Sequence, residues 1–378
     1  MSERTMEPDL SRDEIRRAIR EFSTERPGVA EVRAFLDADP RREEAGFDRS
    51  NWTILAEQLG VASLGAPESW GGLGLGVDYL VAAIEECGAG LYPGPARAAL
   101  LMAWALGGLD PDSVDPDIAE VVRRFLMGAA VPGAPLLDAV ELPECSMGRL
   151  RGTATAVTHG AVADLVVCPV RTPDGLAVAL AVVDPAAERI VRPSADPSTP
   201  VADISFAAAP AVLVTEPADV MGTERFATVH RLLCAAEQVG GAEGCLAAMV
   251  SYAKVRQQFG ALIGSYQAIQ HRCAATAVTI ASARALVAAG ATAAARDGDV
   301  VTARQLSLLA GAEAGECANA AADSFIQISG GIGFTWEHDA HLFYRRARTA
   351  ATIGGTPERL RSLAVTAGCA GLLVTAAT

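Results

Sequence analysis

The stretch Tyr252-Ala253-Lys254-Val255-Arg256-Gln257-Gln258-Phe259-Gly260 runs on through Ile263 to Tyr266-Gln267-Ala268-Ile269-Gln270-His271 and joins two apolar segments. Before it, small and apolar residues from about Arg231 to Val255 predict a helix; after it, a second helix begins near Tyr266. Gly260 breaks the run between them. An arginine fixed beside an amide donor at a helix break suits a phosphodiester, because a guanidinium binds phosphate oxygens in pairs. An exposed arginine capping a helix end is the plain structural alternative.

Working outward, composition narrows the function classes. The chain has 378 residues, 51% of them hydrophobic, and a formal net charge of -14. No Lys/Arg run longer than two occurs, which excludes nucleic acid as a partner, since such affinity rests on basic patches. Any phosphate contact must therefore be local. Eight scattered cysteines without a CxxC pair fit neither a disulfide framework nor a zinc site and point to a reducing cytoplasm. The first twenty residues are polar and charged, so no secretory signal is expected. Arg, Gln, Glu and Gly interrupt the apolar C-terminal half, so no membrane span is expected either. The expectation is a soluble, cytoplasmic protein.

Three regions follow from the change of pattern along the chain. Residues 1–128 read as helical: an N-cap at Ser11, apolar spacing at Ile15, Ala18, Ile19 and Phe22, a stop at Pro27, then helices over Ala30–Leu36, Trp52–Leu59, Tyr79–Cys87, Ala98–Leu106 and Ile118–Leu126. The glycine-rich Pro67–Gly76 is a connector, because no strand precedes it and its spacing is not that of a phosphate loop. Residues 129–218 carry more Pro and Gly and strand-length apolar runs at Leu165–Val170, Leu176–Val183, Ile190–Val191 and Pro210–Val214, which predicts a compact antiparallel β domain. Residues 219–378 return to long Ala-rich helices, near Phe226–Val255, Tyr266–Asp297, Val300–Ser329, Asp339–Ala351 and Pro357–Thr375, which read as a bundle.

The pattern R-x-x-F-G-x-x-I-x-x-x-Q-x-x-Q-H, with the downstream Gln327-Ile328-Ser329-Gly330-Gly331-Ile332-Gly333-Phe334, is similar to that of the acyl-CoA dehydrogenase family. The connector P-E-x-x-G-G-L-G and the order helix, β, helix also resemble that family. The resemblance covers nearly the whole chain and is sharpest in the C-terminal half. It implies an α+β fold with an N-terminal helical domain, a middle antiparallel β domain and a C-terminal four-helix bundle, and it implies FAD and an acyl-CoA substrate. Carried over by position, Arg256 meets the FAD pyrophosphate with Gln258 and Phe259 beside it. Ile263 and Tyr266 line the adenine, and Gln327, Gly330 and Gly331 allow close backbone approach. These belong to the half-site that one subunit gives to its neighbour's flavin. Arg231 matches a family arginine near the substrate pocket.

Elsewhere the chain departs from the family. The segment that resembles the family's T-E-P-x-x-G-S-D reads Ala130-Val131-Pro132-Gly133-Ala134-Pro135-Leu136-Leu137-Asp138, and the family's W-I-T reads Ala156-Val157-Thr158. The catalytic glutamate of Y-E-G-T is replaced in Ile353-Gly354-Gly355-Thr356, and the alternative glutamate before an arginine is replaced in His230-Arg231. The carried-over catalytic set is therefore empty, with Gly354 and His230 at the two base positions. Together these resemble the base-lacking subunit of actinobacterial α2β2 acyl-CoA dehydrogenases that shorten steroid side chains. The resemblance implies a homologous catalytic partner and no independent turnover. Two alternatives stay open: a homomeric flavoenzyme using His230 as base, and a structural homologue without flavin. Among other candidates, Trp336-Glu337-His338-Asp339 with His341 lacks a recognised metal spacing and reads as a helix start. Glu85-Glu86 and Asp13-Glu14 read as solvated helix faces. Arg345, Arg346 and Arg348 are expected in salt bridges rather than on phosphates.

Overall fold

The computed structural model describes residues 11–36, 46–137, 141–295 and 299–368. The first helix, α1 (Arg12–Glu25), opens with a reciprocal cap: the Glu14 N–H donates to Ser11 Oγ at 3.3 Å, and the Ser11 N–H donates to Glu14 Oε2 at 2.7 Å. Ile15, Ile19 and Phe22 form its buried face. Then come α2 (Gly28–Leu36), α3 (Arg49–Thr53) running into a π-turn over Ile54–Gln58, α4 (Val77–Ala89), α5 (Ala96–Ala105) and α6 (Pro116–Leu126). The glycine-rich connector is structural as expected: Trp70 is buried within it and its indole N–H donates to the Leu109 carbonyl at 3.0 Å.

Seven strands follow: β1 (Pro132–Pro135), β2 (Glu144–Ser146), β3 (Arg149–Thr158), β4 (Leu165–Thr172), β5 (Gly175–Val182), β6 (Arg189–Arg192) and β7 (Val201–Leu213). Pairings run β3–β7–β5–β4 and return to β3 through β1 and β2, so the sheet closes on itself around Val166, Cys168, Ala177, Ala179, Ala181 and Ile204. The expected antiparallel domain needs one correction: β1 and β2 pair in parallel with β4. β1, β2 and β3 were not expected from the sequence, nor was the first half of β7. β3 exposes Arg149, Arg151 and Gly152, and so lacks the apolar run that marks β4 and β5.

The C-terminal region is a bundle of α7 (Val220–Val255), α8 (Gln267–Ala294), α9 (Val300–Ser329) and α10 (Ala340–Ile353), with α11 (Pro357–Thr366) on α9. The hairpin β8 (Gln257–Gln258) and β9 (Ala261–Leu262) links α7 to α8. α7 crosses α4 backbone to backbone. A Cβ on Gly240 would lie 1.9 Å from the Glu85 carbonyl oxygen, and one on Gly88 2.2 Å from that of Glu237, so only glycine fits at either position.

One expectation about the acidic pairs changes here. Glu85 and Glu86 are not solvated: both are buried, Arg16 and Arg20 of α1 pair with them, and Arg284 of α8 reaches Glu85 Oε1 at 2.6 Å. Glu14 does face solvent, but as half of the cap. α8 is long and apolar enough to cross a membrane by length and composition, with 28% of its apolar window buried. Its exposed side carries Ala274, Val278, Ala281, Ala285 and Ala288. The called residues Asp138, Asp297 and Cys369, and the helix end at Thr375, lie outside the described residues.

A buried ionic cluster ties the layers together. Arg97 of α5 and Arg346 of α10 both hold Glu237 of α7, and Arg346 Nε also donates to Asp196 Oδ2 at 2.9 Å and to Ser198 Oγ at 3.0 Å in the segment before β7. All of these side chains are buried, so each charge has been taken from water and depends on its partners. Arg346 thus takes the expected salt-bridge role. Arg348 pairs with Asp323 at 3.3 Å, and the Arg345 guanidinium lies 4.8 Å over the Trp336 ring.

Candidate functional site

The sequence-predicted residues fall into two clusters, one towards each end of α7. At its C-terminal end Arg256 leaves the helix in extended conformation, and the Phe259-Gly260 turn follows with φ of +54° and +79°. Two positive φ angles define the tight hairpin turn that matches strand twist. Arg256, Gln258 and Phe259 are exposed, Phe259 at 95%. Among the described residues no ion pair or side-chain hydrogen bond holds the Arg256 guanidinium. Tyr266 has a role the sequence did not show: its hydroxyl donates to the Gln258 carbonyl at 2.9 Å and clamps the hairpin. Ile263 is buried beneath the hairpin.

The second motif meets the first at the same end. Tyr252 Oη donates to the Ser329 carbonyl at 3.5 Å, which links the last turn of α7 to the last turn of α9. Gln327 is exposed there, and the Gly330 amide closes on its carbonyl. Gly330 has φ +66° and ψ -146°, and a Cβ on Gly330 or Gly331 would meet nothing within 4 Å. The two glycines therefore present bare backbone outwards. The stretch after them is a helix start, as expected: His338 Nδ1 accepts from the Ala340 amide at 3.1 Å, and Asp339 is bound by Arg33.

Near the other end, the two positions expected to match the family's base converge. A Cβ on Gly354 would lie 3.2 Å from Cys234 Cβ and 3.9 Å from Arg231 Cα. His230 is buried, with Phe226 edge-on at 6.2 Å. Burial first, then the cations Arg97 and Arg231, lowers its pKa to about 3. Burial raises the Cys234 thiol to about 12. Arg231 pairs with Glu224 at 3.5 Å on its own helix. The place at which a carboxylate is expected thus holds neutral, packed side chains. Arg231 and Arg256 are 25 positions apart on or just beyond one unbroken helix, a rise of roughly 37 Å at 1.5 Å per residue.

The residues present fit FAD unevenly. At the hairpin end, an exposed arginine beside an amide, an exposed aromatic and an open glycine backbone match what a dinucleotide needs. The chain's own β domain does not match. Ala130 and Val131 are fully buried and all four residues of β1 are buried. The Leu136 amide is spent on the Ala156 carbonyl at 3.3 Å and the Leu137 amide on the Ile353 carbonyl at 3.2 Å. The surviving hydroxyl, on Thr158, is buried and donates to the Ala134 carbonyl at 3.1 Å. Among the described residues, these three donors are already spent within the chain.

Comparison with known proteins agrees with this architecture. The family model described as "Acyl-CoA dehydrogenase, C-terminal domain" matches residues 222–367. Over 364 residues the chain is 35% identical to "Acyl-CoA dehydrogenase IpdE2" of Mycobacterium tuberculosis (strain ATCC 25618 / H37Rv), spanning 95% of this chain and 98% of that protein. It is 34% identical over 346 residues to "Acyl-CoA dehydrogenase FadE34" of the same organism, spanning 88% of this chain and 44% of the longer protein. Among solved structures, a variant of the Tcur3481-Tcur3483 steroid ACAD superposes with a TM-score of 0.82 at 22% identity, over 96% of this chain and 98% of that one. The ChsE4-ChsE5 complex from Mycobacterium tuberculosis superposes with a TM-score of 0.76 at 25% identity, over 93% and 95%. Both superpositions show the same fold.

Proposed function

Because the chain belongs to the acyl-CoA dehydrogenase family, we propose that it is the base-lacking subunit of a heteromeric, FAD-dependent acyl-CoA dehydrogenase and completes the cofactor site of a homologous catalytic partner. The observation that carries this reading is what stands at the expected base positions: Gly354 has no side chain, and His230 is buried with its pKa lowered to about 3. The arginine suited to the pyrophosphate lies roughly 37 Å away along α7, at an end left open for a neighbour's cofactor. A partner that supplies the base and a competent β domain makes the hairpin useful. The exposed small-residue side of α8 offers it a docking face. Two structural neighbours described as pairs of named chains, one as a steroid ACAD, support a heteromeric assembly and a steroid side-chain thioester as substrate. We read the assembly as α2β2 and cytoplasmic, built from domains 1–128, 129–218 and 219–378.

In this reading Arg256 holds phosphate oxygens through its guanidinium, and Gln258 adds an amide beside it. Gly330 and Gly331 admit the dinucleotide against bare backbone. When bound, FAD supplies the acceptor for the hydride that leaves the β-carbon. This chain contributes no proton acceptor at the α-carbon. His230 is a poor candidate, because a general base works best with a pKa near the operating pH and burial holds this one near 3. The decisive experiment replaces Arg256 by Ala in the complex co-purified with a base-containing homologue. FAD retention should weaken by about tenfold, the loss expected for one charge-assisted contact. Full FAD content in an intact Arg256→Ala complex would favour the structural homologue without a flavin role.

A further inference from the structure

We propose that Arg33, on α2 in the N-terminal region, is a positioning residue for the shared cofactor site. It fixes the turn that carries Gly330 and Gly331, and the inference rests on the shared-site reading above. The guanidinium crosses about three hundred residues of sequence to grip the stretch between that turn and α10. Nε and Nη2 donate to Asp339 Oδ1 at 2.9 and 2.6 Å. Nη1 donates to the Trp336 carbonyl at 2.8 Å, and Nη2 also to the Glu337 carbonyl at 3.0 Å. One planar fork therefore binds a carboxylate and two backbone oxygens, a set that lysine cannot reproduce.

The grip reaches the glycines through a short, hydrogen-bonded path. The Thr335 amide and hydroxyl both donate to the Ile332 carbonyl, at 2.9 and 2.8 Å, so the turn Gly330–Phe334 is locked to Thr335 and onwards to Trp336. Apolar burial does little here: Ile332, Phe334 and Trp336 are all exposed. Gly330 and Gly331 are themselves bare and open, and such a backbone keeps a fixed shape against a ligand only if its flank is pinned. Arg33 pins that flank from outside the bundle, and Asp339, fixed in turn by Arg33, starts α10.

The test uses the co-purified complex with Arg33→Ala, Arg33→Lys and Arg256→Ala in this chain. FAD affinity is measured by titrating flavin back into the apo-complex, while complex mass and the apo-complex Tm are followed separately. The expected result is about tenfold weaker FAD binding for Arg33→Ala, a smaller loss for Arg33→Lys, and unchanged mass and apo Tm. If Arg256→Ala weakens FAD and Arg33→Ala does not, the positioning role is overturned and the shared site stands. A fall in apo Tm or complex mass that accounts for the FAD loss in Arg33→Ala reduces Arg33 to a structural clamp and likewise overturns the role. If neither Arg33→Ala nor Arg256→Ala alters FAD affinity, the shared-site reading fails and the positioning role fails with it.

Discussion

At Gly354, packing as well as sequence disfavours a larger side chain. Its backbone is right-handed, φ -87° and ψ -1°, so any residue tolerates the conformation; the obstacle is Cys234, 3.2 Å from an added Cβ. Gly354→Glu should therefore cost about 1–3 kcal/mol from overpacking, read as a lower denaturation midpoint, and should leave the lone chain without acyl-CoA turnover. Independent turnover by that variant would mean the β domain holds flavin after all. His230 and His159 carry a pH prediction. Burial lowers both, to about 3 and about 4, below the ordinary value near 6.5. A depressed histidine pKa means the unfolded chain binds the proton first. Stability is then fully present above pH 6.5 and falls as pH drops towards the folded values, by up to ~1.4 kcal/mol per pH unit for each histidine. Replacing His230 by Gln should flatten the slope between pH 6.5 and 4 in urea titrations; an unchanged slope would mean His230 is already charged in the fold. At this scale the sequence was legible where a signal is local, as in the break at Gly260, where the chain turns with φ +79°. Glu85 and Glu86 were misread because their partners Arg16, Arg20 and Arg284 come from other helices.

The β8–β9 hairpin is the element that would meet the cofactor in the shared-site reading, and it is built against its own stability. Phe259 holds a positive φ and 95% exposure, and a bulky residue in the left-handed region is strained. Phe259→Asn, a residue suited to that turn position, should raise the stability of the lone chain by up to ~1 kcal/mol while lowering the FAD retained by the complex. A variant that gains stability and keeps all its FAD would show that the phenylalanine has no part in cofactor binding. The helices were predictable because their apolar periodicity and caps are local; Val300–Ser329 appears with the predicted bounds. α7 begins earlier than expected, at Val220, because Asp219 caps it by accepting from the Gly222 amide at 2.9 Å. Strands β1 to β3 were hidden because short or polar segments gain their partners only when the sheet closes.

Across the whole molecule, one buried cluster joins α5, α7, α10 and the segment before β7. Glu237 sits between Arg97 and Arg346, and although burial alone raises its pKa, the two guanidiniums outweigh that and hold it ionised. Removing one partner of such a group strands the others, so Glu237→Gln should cost about 3–5 kcal/mol, seen as a large fall in the denaturation midpoint; a loss below ~1 kcal/mol would mean the cluster is hydrated. The order helix, β, helix was legible because composition shifts along the chain. The closed, partly parallel sheet and the ionic cluster were not, since both arise from contacts distant in sequence. In the shared-site reading this chain gives half a flavin site and does not complete one alone. The most direct test is the visible absorption spectrum of the chain purified alone and after co-expression with a base-containing homologue. A colourless lone chain and a yellow complex with one FAD per pair of unlike chains are expected. A lone chain already yellow with stoichiometric FAD would contradict that reading.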